Sequence, residues 1–127
     1  MKRRSIIIID SKWHCGNSWK KALGKKHEIA VLRDFSMIEK LCTAGAVDIV
    51  IVNTHLQKEF DLNIFRRFRQ FFPSIPVTAV ISYRCSWDKD ELGKYGIEHA
   101  VLKPFSIQTL EEKIEEVLCE QVSCSAP

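Results

Sequence analysis

Five short apolar runs, each followed by an amphipathic helix pattern, set the limits on what this chain can fold into. The runs are Ser5–Ile9, Glu28–Leu32, Val47–Val52, Ile75–Ile81 and Glu98–Leu102. Several are rich in Ile and Val with little polar alternation, as expected of strands covered on both faces. Between them, Asn17 is expected to cap a helix that turns Trp19, Ala22 and Leu23 inward. A second helix carries Ile38, Leu41 and Cys42 and closes at Gly45. Asp61 opens a third, with Ile64, Phe65, Phe68 and Phe72 inward, and Pro73 ends it. Asp88 to Tyr95 reads as a short, polar fourth helix. Ser106 caps a fifth with Ile107, Leu110, Ile114, Val117 and Leu118 on one face. Alternation of this kind, with right-handed crossovers, leads to an α/β fold with a doubly wound parallel sheet of five strands.

The 127 residues suffice for one domain with a single substantial core. That domain is expected over 1–119, with 120–127 a C-terminal tail or the start of a linker. A net charge of +3 is mild, and no helix-turn-helix or zinc-finger pattern accompanies it, so no direct nucleic-acid contact is expected. Arg66, Arg67 and Arg69 read as the wet face of the third helix, and Glu111 to Glu116 as a solvated face of the fifth. The apolar run Ile6–Ile9 is too short for a membrane span or a signal-peptide core. Five scattered cysteines without a CxxC pair suit free thiols and a cytoplasmic location. Cys42 falls on an apolar helix face and reads as core filling.

Four residues stand immediately after strands and should gather along one edge of the sheet, where such folds bind and react. They are Asp10, Asn53, Ser82 and Lys103. A carboxylate, an amide, a hydroxyl and an ammonium around one cavity resemble the parts of a phosphoryl-transfer pocket. The ammonium and hydroxyl suit phosphoryl oxygens, and a carboxylate suits magnesium. An asparagine cannot serve as nucleophile, because its amide is neutral and forms no stable acyl phosphate. His14, Cys15, His55 and Cys85 lie on loops near that edge, but their spacing matches no zinc signature.

With these pieces in order, the chain resembles the receiver domain of two-component response regulators (CheY-like) from Ser5 to Leu118. Ala100-Val101-Leu102-Lys103-Pro104-Phe105 is similar to the family's fifth strand end, with its lysine and a cis bond before Pro104. Val47 to Asn53 is similar to the strand that ends at the phosphoacceptor. Ile6-Ile7-Ile8-Ile9-Asp10-Ser11 is similar to the strand that ends in an acidic pair, and Pro76 to Ser82 to the one that ends in Thr or Ser. The resemblance implies a flavodoxin-like (βα)5 fold with strand order 2-1-3-4-5.

The departures from the family pattern fall on its chemistry. Asn53 occupies the acceptor position, and Ser11 replaces the second acidic residue. Tyr83 stands where a small residue leaves the pocket open, and Ala100 where an aromatic switch residue rotates. Leu62 replaces a glycine after Asp61. With Asp10 as the remaining carboxylate, no metal site is expected beyond a weak magnesium site at Asp10, and no other cofactor. Asp10 and Lys103 are expected to pair, with Asn53 as their hydrogen-bond partner.

The resulting expectation is a phosphorylation-independent receiver, not an enzyme, that works through protein–protein contact. The resemblance implies a partner or homodimer face on the fourth helix, fifth strand and fifth helix, including Lys89, Lys94, Tyr95, His99, Gln108 and Glu111. A histidine kinase or a fused output domain is a partner of the kind implied. Two alternatives stand beside it. One is a phosphorelay receiver with Asp10 or Ser11 as substitute acceptor. The other is a small-ligand or nucleotide domain, against which counts the absence of GxGxxG and P-loop glycines.

Overall fold

The computed structural model describes residues 3–10, 14–33, 37–43, 45, 47–53, 63–82, 93, 99–103 and 106–125. Five strands, β1 (Ser5–Ile9), β2 (Glu28–Leu32), β3 (Ile49–Asn53), β4 (Val77–Ser82) and β5 (His99–Lys103), form one parallel sheet. Their order is β2-β1-β3-β4-β5, as the resemblance implies. Helices α1 (His14–Leu23), α2 (Ile38–Thr43) and α3 (Asn63–Phe71) and a C-terminal helix (Ile107–Ser125) flank it. Of the expected helix over Asp88 to Tyr95, the described residues include Gly93 alone, which is helical; Asp61 and Leu62 lie outside them.

Strand alternation divides the core in two. Ile7, Ile9, Val50, Val52, Val77, Ala79 and Ile81 pack with Ile38 and Cys42 of α2 and Phe68 of α3. Ile6, Ile8, Ile49, Ile51, Val80 and Val101 pack on the other face with Trp19 and Leu23 of α1 and Leu110, Ile114, Val117 and Leu118 of the C-terminal helix. Apart from Ser5 and Asn53 at their ends, β1 and β3 are apolar at every residue, which is why their sequences lack alternation. Cys42 is core filling as expected, and burial pushes its thiol up. Gly45, just past α2, has φ +82°, the left-handed conformation that favours glycine at a helix end.

The boundaries differ from expectation in instructive places. α1 begins at His14, so Asn17 lies exposed inside the helix and does not cap it. An acid on the preceding strand accepts a first-turn amide instead, as described below. β3 starts at Ile49 because Asp48 uses its side chain at the strand's start, accepting the Ser5 N–H at 2.8 Å while its own N–H reaches the Ser5 carbonyl. β4 starts at Val77, after Pro76 has supplied its carbonyl to the Val50 N–H. The C-terminal helix runs to Ser125, past Leu118, the last core residue among those whose side chains are described. Arg69 is not on a wet face: it is partly buried, and its guanidinium donates to the Ile75 carbonyl, tying α3 to the approach to β4. Among the described residues no helix is long and apolar enough to cross a membrane.

Ile51 is fully buried at the middle of the sheet. Ile51→Ala should lower the unfolding free energy by about 2–5 kcal/mol through lost transfer energy and a residual cavity. Urea denaturation checks this, with the midpoint falling and the slope unchanged.

Candidate functional site

Parallel pairing brings the carboxyl ends of the strands to one edge. Ile9 is in register with Val52, so Asp10 and Asn53 are the next residues on adjacent strands. Ser82 is in register with Lys103. The four strand-end residues thus share one edge, although the side chains of Ser82 and Lys103 lie outside the described residues. Ser11, Tyr83 and Pro104 lie wholly outside them, as do Lys89, Lys94 and Tyr95.

Asp10 is completely buried. Its N–H donates to the Leu32 carbonyl, and its Oδ2 accepts the Gly16 N–H at 2.7 Å. Gly16 lies in the first turn of α1, where backbone amides have no intrahelical partner and the helix dipole favours negative charge. One carboxylate oxygen therefore caps α1. The approach is close enough to require glycine: a Cβ on Gly16 would lie 2.9 Å from Val31 Cγ1 and 3.1 Å from Asp10 Cβ. The sequence reading missed this role of Gly16. The available signal was a glycine six residues after a strand-end acid.

Asn53 is 2% exposed, and its Oδ1 and Nδ2 both lack hydrogen-bond partners among the described residues. Of the expected trio of Asp10, Lys103 and Asn53, the Lys103 side chain lies outside the described residues, and within them Asn53 makes no hydrogen bond to Asp10. Strand parity places Asn53 with Ile49 and Ile51 on the face covered by α1 and the C-terminal helix. An unmatched amide so placed costs on the order of 1–3 kcal/mol per buried group. Two residues back along the neighbouring strand, Thr78 is also buried, with its Oγ1 unpartnered.

Magnesium does not fit the residues described here. It requires anionic oxygens in near-octahedral geometry to offset dehydration. Asp10 supplies one carboxylate, with one oxygen already committed to Gly16, and Asn53 supplies a neutral oxygen.

Solved structures similar in fold to this chain include response-regulator receiver domains. A response regulator receiver domain protein (CheY-like) from Methanospirillum hungatei JF-1 is 18% identical with TM-score 0.81, covering 96% of this chain and 98% of its own. A receiver domain protein from Clostridium thermocellum is also 18% identical, with TM-score 0.80 over 95% and 98% of the two chains. A response regulator from Thermotoga maritima reaches 23% identity, with TM-score 0.74 over 92% and 98%. This is the receiver-domain fold. No family model matches the sequence, and no curated protein matches it either. Within the receiver-domain fold, Ala100 on β5 is partly buried against the layer of Phe68 and pairs with Ala79. On the implied partner face, Gln108 is exposed and His99 and Glu111 partly so, and Leu102 of β5 is 58% exposed.

Two substitutions test these environments. Asn53→Leu replaces an unmatched amide with an apolar group of similar shape, and the melting temperature should hold or rise. Gly16→Ala should destabilise by about 1–3 kcal/mol through overpacking against Val31 and Asp10, read by the same denaturation experiment.

Proposed function

We propose that the chain is a receiver module of two-component signalling that acts by protein–protein contact without accepting a phosphoryl group. The observation that carries this reading is Asn53: an amide, buried and without a partner among the described residues, at the β3 end where the resembling family places its nucleophilic carboxylate. Phosphoryl transfer from a small donor needs an anionic oxygen to attack phosphorus as the leaving group departs. Asn53 offers none. Asp10 is a poor substitute acceptor, since it is fully buried and bonded to the first turn of α1.

Magnesium binding is expected to be weak for the reasons of charge given above. The face built from β5 and the start of the C-terminal helix, with His99, Gln108 and Glu111, is the proposed contact surface for a protein partner or a second copy. A histidine kinase or a fused output domain fits that role, in the cytoplasm, with no enzymatic activity of the module itself.

Intact mass after incubation with acetyl phosphate and magnesium tests the reading directly. No adduct is expected on the wild type. With Asn53→Asp, carboxylate attack on phosphorus releases acetate, and an adduct is expected if the edge keeps receiver geometry. An adduct on the wild type would overturn the proposal. In metal-free buffer Asn53→Asp should also melt lower than wild type, because a second carboxylate joins Asp10 without a cation.

A further inference from the structure

At the amino-terminal pole of the sheet, opposite Asn53, His27 joins three parts of the fold. It ends the turn after α1, immediately precedes β2, and lines a cleft of about 370 Å³ with Lys26, Gln108, Glu111, Glu112 and Glu115. Only 3% of it is exposed. Its Nδ1 accepts the Arg4 backbone N–H at 3.2 Å, while the Glu28 N–H donates to the Arg4 carbonyl. His27 and Glu28 thus hold Arg4, the residue that leads into β1.

That hydrogen bond fixes the ring chemistry. With Nδ1 as acceptor, the single proton of the neutral imidazole resides on Nε2. A metal at Nε2 is excluded in this tautomer, because no lone pair remains there. Among the described residues, Glu115 and Glu111 from the C-terminal helix, Lys26 from the turn and Arg3 from the segment before β1 act electrostatically on the ring, and Glu112 also lines its cleft. Lys26 sits 3.5 Å from Glu111, a half-exposed pair of little strength. Glu115 Oε1 is buried and lacks a partner among the described residues.

We propose that His27 is a proton-operated joint between the start of the sheet and the C-terminal helix, which on protonation gives up the Arg4 amide and pairs with Glu115. A second proton must go to Nδ1, where it faces the Arg4 N–H donor, so the existing bond cannot survive. The imidazolium then carries charge beside two carboxylates, and the unmatched Glu115 oxygen gains a charged donor. Movement at Glu115 moves the helix that also carries Glu111 and Gln108. Nothing in this device depends on Asn53 or on phosphoryl chemistry, so its failure would leave the proposed function untouched.

Burial pushes His27 below its usual 6.5, while Glu115 and Glu111 act in the opposite direction. The unfolded chain therefore takes up the proton first as pH falls. Stability held by neutral His27 is complete above the unfolded value and declines as pH falls through the lowered folded value.

An NMR pH titration of the whole chain tests the joint. His27 should titrate below 6.5 in the folded protein. Exchange of the Arg4 amide, corrected for its intrinsic rate, should rise about tenfold with the same midpoint as its hydrogen bond is lost. Backbone shifts at Glu111 and Glu115 should follow that midpoint. Glu115→Gln should lower the His27 midpoint and remove the helix response, and His27→Gln should abolish the transition at Arg4. A His27 midpoint at or above 6.5 would overturn the proposal. So would titration with the Arg4 amide unmoved, a midpoint indifferent to Glu115→Gln, or global unfolding before His27 titrates.

Discussion

Burial of β1 and β3 on both faces is the constraint from which the rest of the molecule follows. A polar side chain in the middle of either strand would be stranded in the sheet's interior, so Ile and Val fill both except for Ser5 and Asn53 at their ends. The helices must then cover two apolar layers, with α2 and α3 on one and α1 and the C-terminal helix on the other. Polar chemistry is driven to the strand ends, where backbone pairing stops and side chains of different strands meet.

At those ends the two buried polar side chains described have opposite fates. Asp10 is tied into the fold, because its carboxylate meets the first turn of α1 and Gly16 makes room for the approach. Asn53 is retained at a cost, with neither amide atom matched among the described residues. An Asp10 so bound acts as a structural cap, whereas the described residues give Asn53 no such bond. An amide offers no anionic oxygen at this edge, which is why the proposed function rests on contact and not on chemistry there.

The opposite pole carries a different kind of polar group. His27 is neutral because it must accept a backbone amide, yet it lies beside carboxylates that favour its charged form. Sequence patterning could not single it out. A histidine following Lys25 and Lys26 reads as a turn residue, and only packing against the C-terminal helix buries it. The glutamates of that helix likewise read as a solvated face, until the fold sets Glu115 against His27 and Glu111 against Lys26.

The strands and their order of appearance were legible in the sequence, since continuous β-branched runs separated by amphipathic patterns have few other solutions. β1 and β2 fall where the runs begin and end, and the strand-end positions of Asp10, Asn53, Ser82 and Lys103 follow from the same reading. Helix limits were less legible, because the group that caps α1 is six residues away on another element and the C-terminal helix runs on to Ser125. Hydrogen bonding was decided by the tertiary structure alone. Whether a buried amide, carboxylate or imidazole finds a partner depends on distances between segments remote in the chain, and no local pattern encodes them.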